Sequence, residues 1–184
     1  MSQLDTFIRE NNLRLLKPLS KGWTSYIYLA ENFRENKVIL KVLREDSNRK
    51  SMVMREAENL KLANSIGVGP KLIAADPQKN IVMMEFIEGT PFSEWLSSGP
   101  TKPLLENFID ELCAQAKKLD EIGLDHGQLA GKGKNILVHN GLPVIIDFEK
   151  ASTKRKAHNV KVLDSFLFES KNSGIVKRVK EILA

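Results

Sequence analysis

The sequence has little cysteine and no long apolar run, and both shortages restrict the class of protein. Its single thiol, Cys113, cannot form a disulfide within the chain and favours a reducing compartment. No apolar run approaches the roughly 20 residues that a helix needs to cross a bilayer. Residues 1–12 lack the basic and then apolar segments of a secretory signal peptide. We therefore expect a soluble cytoplasmic protein without a membrane segment.

Internal repeats and low-complexity segments are also missing, so the sequence does not favour a repeat architecture. The 184 residues, 42% of them hydrophobic, suit one domain or two small lobes that share a cleft. Lys and Arg number 28 against 23 Asp and Glu, which gives a net charge of +5. This excess suits an anionic ligand without requiring one.

The most informative stretch, residues 124–150, combines a glycine-rich polar loop with two short apolar runs. Asn140 and Gly141 separate the runs and are typical of a type I′ turn, because both residue types tolerate a positive φ. The pattern predicts a hairpin in which Asn135 opens the first strand and Asp147 closes the second. Their amide and carboxylate oxygens would then lie close enough to share a hard cation such as Mg²⁺.

The first part of the chain, residues 1–87, is predicted to form a domain of one sheet with an inserted helix. A short helix over residues 3–11 leads into an antiparallel meander. A helical period over residues 49–67 ends at Gly67, a typical C-terminal cap. The predicted strands cover residues 13–19, 26–31, 37–43, 71–76 and 80–87.

The second part of the chain, residues 88–184, is predicted to form a mostly helical domain. Thr90 and Pro91 indicate the start of a short helix with Thr90 as its N-cap. A longer helix gives the clearest periodic signal. Its apolar face is formed by Leu105, Phe108, Ile109, Leu112, Cys113, Ala116 and Leu119. Two more helices are predicted over residues 160–170 and 173–183.

Lys41 lies in an apolar strand, on the same side as Ile39 and Leu43. Seen alone, such a lysine most often extends its charge to the edge of the sheet. Glu56, on the following helix, is placed to reach it, and a buried cation is costly unless it is paired. Two alternatives remain: solvated side chains, or a Lys41–Glu56 pair that holds the ammonium ready for a phosphate.

The order of these features resembles the protein kinase superfamily over nearly the whole chain. The resemblance rests on VILK ending at Lys41, REA containing Glu56, HGQL starting at His126 and DFE starting at Asp147. DHGQL and IIDFEKAS are similar to phrases of small archaeal proteins grouped with the serine/threonine kinases, near the RIO-type and tRNA-modification-associated kinases. The resemblance implies an α+β, minimal two-lobed kinase-like fold, with an antiparallel N-lobe sheet carrying one helix and a truncated, mostly helical C-lobe.

The resemblance also implies a site for ATP and Mg²⁺. Lys41 would contact the α- and β-phosphates, with Glu56 orienting it. Asn135 and Asp147 would hold the metal. The turn at Gly22 stands where the phosphate-covering loop is expected.

The adenine would lie against the linker between the two lobes. It would bond to the backbone of Glu85 and Ile87, with Met84 at the back of the pocket. His126 is implied to be mainly structural, which agrees with a packed, hydrogen-bonded histidine.

The sequence departs from the kinase pattern at Gln128, where the family has its catalytic aspartate. An amide can orient the acceptor hydroxyl but cannot take its proton. The nearest acid is Asp125, which either faces the cleft through a rerouted loop or caps the end of the long helix. The catalytic candidates are therefore Asp125, Gln128 and Lys41.

Other departures concern the phosphate loop and the segment after Asp147. Gly22 is its loop's single glycine, so a weaker grip on phosphate is expected, and Trp23 is expected to pack under the turn or partly cover the nucleotide site. The short stretch after Asp147 leaves no room for an activation segment or peptide-docking helices. Glu149 in place of glycine argues against a flipping switch.

A basic run over residues 150–161 follows the metal position. Its charged members are Lys150, Lys154, Arg155, Lys156, His158 and Lys161. The absence of interleaved aromatic residues favours a solvated loop, and the alternative is a surface that recruits RNA, a phosphorylated substrate or an acidic protein.

The leading hypothesis is an ATP- and Mg²⁺-dependent phosphotransferase, an atypical serine/threonine protein kinase that acts on a protein substrate. One alternative is a pseudokinase that binds nucleotide or acts as a scaffold without turnover. The other is a small-molecule kinase, favoured by the DFE motif and the absence of a peptide platform.

Overall fold

The computed structural model of the chain describes residues 2–22, 24–44, 52–171 and 173–184. The expectation for Trp23 and the predicted helix start at residues 49–51 lie outside the described residues. The chain divides into two compact units, Met1–Lys61 with Pro70–Phe86 and Leu62–Gly69 with Ile87–Ala184. The domain assignment 1–87 and 88–184 stays a prediction.

The first unit is built on a five-stranded antiparallel sheet of order β1-β2-β3-β5-β4. Two helices accompany it: α1 (Gln3–Glu10) before the first strand and α2 (Met52–Ser65) after the third, with the last turn of α2 belonging to the second unit. The strands are β1 (Leu13–Lys21), β2 (Ser25–Asn32), β3 (Lys37–Leu43), β4 (Leu72–Asp76) and β5 (Ile81–Glu85).

One face of this sheet is covered by α1, and the alternation along β3 decides which side chains face it. Val38 and Leu40 join Phe7 of α1 in a buried cluster. The same alternation places Lys41 with Ile39 and Leu43 on the other side of β3. The alternation therefore places Lys41 on the face of the sheet opposite to the buried cluster around Phe7.

Over its described residues, the second unit contains a three-stranded sheet of order β6-β7-β8 and four α-helices, α3 to α6. Helix α4 matches its predicted face, with Leu105, Phe108, Leu112 and Leu119 fully buried. The elements are β6 (Thr90–Pro91), α3 (Phe92–Ser97), α4 (Lys102–Glu121), β7 (Ile136–His139), β8 (Leu142–Ile145), α5 (Asn159–Asp164) continued by a wider turn (Ser165–Glu169), and α6 (Gly174–Leu183).

The predicted hairpin is confirmed, because β7 pairs with β8 and its turn residues Asn140 and Gly141 have φ values of 50° and 80°. The prediction for Thr90 and Pro91 is wrong. Thr90 pairs with Val138 of β7, and helix α3 begins only at Phe92. Pairing with a distant strand has overridden the local N-cap signal at Thr90.

Across the described residues, no helix combines the length and the apolar character that crossing a membrane requires.

Candidate active site

The first unit holds a buried ion pair between Lys41 of β3 and Glu56 of α2. The Lys41 Nζ lies 2.9 Å from the Glu56 carboxylate, and only 12% of the lysine side chain and 5% of the glutamate side chain are exposed. The sequence left two alternatives, solvated side chains or a Lys41–Glu56 pair, and the structure contains the pair. An ammonium held in this way is stabilised inside the protein, and phosphate binding at Lys41 stays a prediction.

The predicted adenine contacts lie at the end of β5. Met84 is buried and pairs with Ile39 of β3, while Glu85 donates its backbone N–H to the Lys71 carbonyl at 2.9 Å. Ile87 follows the strand and is half-buried. Adenine binding at Met84, Glu85 and Ile87 stays a prediction.

Gly22 lies in the turn between β1 and β2 and donates its backbone N–H to the Ser25 carbonyl at 2.8 Å. This bond closes the turn on itself. Phosphate binding at Gly22 also stays a prediction.

In the second unit, the loop before β7 orients the amide of Asn135. Asn135 Nδ2 donates to the Gln128 carbonyl at 2.7 Å, and a Cβ at Gly131 would lie 2.6 Å from the same nitrogen. Only glycine at position 131 leaves room for this contact. Since the amide nitrogen is used, the Asn135 oxygen is the atom left for a ligand.

Asp147 follows β8 directly and has a left-handed backbone, with φ of 66°. The Ile146 N–H donates to the Asn135 carbonyl at 2.9 Å, so the hairpin brings the residue before Asp147 opposite Asn135. One amide and one carboxylate oxygen suit a hard cation such as Mg²⁺. Among the described residues, no group of three or more His, Cys, Asp or Glu is placed to hold a metal, and metal binding at Asn135 and Asp147 stays a prediction.

His126 is completely buried and contacts the residues on either side of Asp147. Its Nε2 lies 3.0 Å from the Ile146 carbonyl, and its ring meets Phe148 edge to face. Burial lowers the pKa of His126 below its usual value of 6.5, against an opposing effect of the hydrogen bond to Ile146. The histidine is therefore neutral in the folded protein and donates from Nε2.

We expect the unfolding free energy to fall as the pH drops below about 6.5, because the unfolded chain then binds a proton that buried His126 does not. The loss ends at the lowered pKa of the folded state, and one proton limits its slope to about 1.4 kcal/mol per pH unit. Urea unfolding between pH 8 and pH 5 measures it. A His126→Gln variant should show a flatter dependence, and an equal slope in both proteins would contradict the assignment.

Asp125 is buried and is contacted by two side chains from the basic run. Arg155 Nε donates to its Oδ2 at 2.7 Å, whereas His158 Nδ1 lies 3.3 Å from its Oδ1 and 3.1 Å from the Lys156 carbonyl. Its backbone forms a two-way bridge with Ser152. The alternative in which Asp125 caps the long helix is therefore wrong, because its carboxylate binds Arg155 instead. A catalytic role for Asp125 stays a prediction.

Gly127 lies where Arg155 crosses the loop and has φ of 75°. A Cβ there would lie 2.5 Å from Arg155 Nη2 and 2.6 Å from the Lys150 carbonyl, which are themselves hydrogen-bonded at 2.7 Å. The loop and the segment after Asp147 are thus packed together at a position that only glycine fits.

A Gly127→Ala variant should lose about 1–2 kcal/mol for the left-handed backbone and a further 1–3 kcal/mol for the clash. Gly123→Ala is the matched control, since Gly123 has φ of 70° and nothing within 4 Å of its Cβ position. Thermal unfolding of both variants separates the two costs. Equal destabilisation of the two variants would show that the groups around Gly127 move aside at little cost.

Two structural residues escaped the sequence analysis, Asn159 and Asp120. Asn159 is buried; its Oδ1 accepts from the His126 N–H at 2.9 Å and its Nδ2 donates to Asp120 at 2.7 Å. Asp120 also accepts the backbone N–H groups of Asn159 and Val160 at the start of α5. Contacts between segments so far apart in the sequence follow no spacing rule. A lone polar residue directly before an apolar run, as at Asn159, was a visible signal.

The basic run divides in the structure. Arg155 and His158 contact Asp125, whereas Lys150, Lys154, Lys156 and Lys161 are exposed. The exposed lysines agree with the solvated alternative.

Comparisons with known proteins agree with this arrangement. A family model described as RIO domain matches residues 24–165. KEOPS complex subunit Bud32 of Pyrococcus abyssi is 35% identical over 101 residues, which are 54% of this chain and 44% of that protein. An uncharacterised protein of Methanocaldococcus jannaschii is 30% identical over 100 residues, 54% of this chain and 83% of that protein. The chain thus spans less than half the length of Bud32.

The fold is also similar to that of a solved kinase. The Rio2 kinase of Chaetomium thermophilum, in a complex with ADP/Mg²⁺ and phosphoaspartate, superposes with a TM-score of 0.66 at 18% identity, covering 98% of this chain and 65% of that chain. The predicted α+β kinase-like fold is confirmed. Because the RIO domain model matches well over half of the sequence, the chain belongs to the RIO domain family of atypical protein kinase-like proteins.

Proposed function

We propose that this protein is an ATP- and Mg²⁺-dependent phosphotransferase that transfers the γ-phosphoryl group to an alcohol. The observation that carries the proposal is the buried Lys41–Glu56 pair at 2.9 Å. A buried cation is costly, and binding a phosphate is a chemical reason to keep one. The Rio2 structure, which contains ADP and Mg²⁺, supports the choice of nucleotide and metal.

Each site residue has a defined part in this proposal. Lys41 binds the α- and β-phosphates and Glu56 fixes the position of its ammonium. Asn135 and Asp147 supply the oxygens for Mg²⁺, which neutralises phosphate charge when it is bound. Adenine would bind at the backbone of Glu85 and Ile87 beside Met84, and the Gly22 turn would lie over the phosphates.

The reaction joins the acceptor oxygen to the γ-phosphorus while the bond from that phosphorus to the bridging oxygen of ADP breaks. Gln128 orients the acceptor hydroxyl through its amide, and the hydroxyl proton leaves to water. Asp125 is the alternative proton acceptor. Comparing the turnover of Asp125→Asn and Gln128→Ala tests this choice, since an Asp125→Asn variant at full rate would remove Asp125 from the chemistry.

The finer predictions belong to the same proposal. The acceptor predicted from the resemblance is a serine or threonine of a protein, with a small molecule as the alternative, and the predicted location is the cytoplasm. The similarity to a KEOPS complex subunit supports a protein partner, whereas RNA binding by residues 150–161 has weaker support.

Formation of ADP from labelled ATP tests the proposal directly. We expect turnover with Mg²⁺ and none after EDTA, because Asn135 and Asp147 need the metal to act on the phosphates. A rise in melting temperature with Mg·ATP but no ADP formation would favour the pseudokinase. Neither binding nor turnover would contradict the proposal altogether.

A further inference from the structure

The second unit contains a pocket of about 500 Å³. Its lining includes the catalytic candidates Asp125 and Gln128, the other residues of the loop from Gly127 to Gly131, and Arg155, His158, Asn159 and Val162. Its volume is within the range of small-molecule sites, roughly 300–1,000 Å³.

The charged groups of the pocket favour an anionic ligand. Arg155 and His158 have side chains 50% and 53% exposed, whereas the carboxylate of Asp125, the acid of the pocket lining, is 4% exposed and already contacts both. Arg155 Nη1 has no partner among the described residues and remains available as a donor, and His158 Nε2 contacts no polar atom of those residues.

The loop wall adds further hydrogen-bond donors. The backbone N–H groups of Gln128, Leu129 and Ala130 donate to no described residue, although all three residues line the pocket. Backbone N–H groups in such a loop are suited to oxygen atoms of an anion or an alcohol.

The pocket is also connected to the proposed metal site. The Gln128 carbonyl accepts the amide N–H of Asn135 at 2.7 Å, so one loop residue lines the pocket and contacts a proposed metal ligand. Gln128 therefore connects the pocket to the proposed metal site through its backbone, and the residue itself is exposed.

The segment between Asp147 and α5 is fixed at the pocket by two contacts with Asp125. Ser152 forms a backbone bridge with Asp125, and Arg155 donates to its carboxylate. Arg155 of this segment also lines the pocket.

From these observations we infer that the pocket binds the phosphoryl acceptor, and that the acceptor is a small alcohol carrying a carboxylate or a phosphate. This inference rests on the proposed function. Arg155 and His158 bind the anionic group, and Gln128 receives the hydroxyl. The alcohol oxygen bonds to the γ-phosphorus of ATP, ADP leaves, and the hydroxyl proton passes to water, which yields a phosphate ester.

Calorimetric titration of the full chain with three related probes tests the pocket. Glycerol 3-phosphate and glycerate carry the two anionic groups, and glycerol carries neither. We expect at least one anionic probe to bind about tenfold or more tightly than glycerol, the effect of a charge-assisted hydrogen bond. The better anionic probe identifies the group, and equal binding of all three would overturn the inference.

Three variants show whether binding occurs in this pocket. His158→Ala and Arg155→Gln should weaken binding of the better probe by about tenfold. Lys156→Gln is the matched control, because it removes an exposed charge beside Arg155 that does not line the pocket. Since Arg155 also binds Asp125, its variant is compared by melting temperature, and His158→Ala gives the result if Arg155→Gln unfolds. An equal loss in Lys156→Gln would mean unspecific charge attraction and overturn the site.

Measuring ADP formation with the same probes separates the two proposals. The inference predicts faster ADP formation with the better anionic probe and none above background with a serine-containing peptide. Turnover with the peptide alone would overturn the small acceptor but leave the phosphotransferase intact. Pocket binding without any ADP formation would overturn the proposed function and, with it, the acceptor role of the pocket.

Discussion

Replacing Asp147 by alanine is expected to lower ADP formation by about 10²–10³-fold, the usual effect of removing one preorganised electrostatic contact. Asp147 supplies the carboxylate of the proposed metal pair, and Asn135 alone offers a neutral amide oxygen. Without the carboxylate, the charge of the phosphates is less well neutralised. Single-turnover assays at saturating ATP measure the effect on the chemical step.

Asp110→Asn is the control for this experiment, because Asp110 is an exposed carboxylate on α4 that contacts no site residue in the described structure. It should turn over like the unmodified protein. If Asp147→Ala retained the full rate at the same melting temperature, Asp147 would not hold the metal. Raising Mg²⁺ should restore part of the rate if the loss lies in metal affinity.

Breaking the Lys41–Glu56 pair is expected to lower the unfolding free energy by about 3–5 kcal/mol, because one buried charge loses its main partner. This holds for Lys41→Met and for Glu56→Leu. The double variant should recover most of the stability, since two apolar side chains then pack where two charges were buried. Urea unfolding of the four proteins gives the coupling energy.

Activity should behave differently from stability in this series. The double variant is expected to fold but to form ADP about 10²–10³-fold more slowly, because no ammonium remains for the phosphates. Glu181→Gln is the stability control. In its ion pair with Arg178, the Glu181 side chain is 46% exposed and the Arg178 side chain 40%. Losing this pair should therefore lower the unfolding free energy by less than about 1 kcal/mol. A double variant with full activity would show that Lys41 does not bind phosphate.

Much of the fold could be predicted because its signals are local. Alternation along β3 and the period of α4 report which side chains are buried, and both patterns lie within single elements. The Asn140-Gly141 turn requires two positive φ values, which few other residue pairs adopt. The side of the strand on which Lys41 lies could likewise be predicted from the alternation alone.

Other features depend on segments that are distant in the sequence. The helix start at Thr90 was predicted wrongly because the residue pairs with Val138 of another strand. Arg155 belonged to a basic run that the sequence favoured as solvated, but the structure places it on Asp125, thirty residues earlier. A charge pattern shows that a residue is polar and does not show which partner the chain path brings to it.

The sequence by itself determined the two local ingredients of the candidate site, a lysine and glutamate on adjacent elements and a hairpin that ends in Asn135 and Asp147. Periodicity and turn chemistry suffice for these because each depends on neighbouring residues. Only the tertiary structure decided that Arg155 and His158 contact Asp125 and that they line one pocket together with the Gln128 loop. Those contacts follow from the folding of the segment after Asp147 onto the loop, where the glycine at position 127 leaves room for the guanidinium.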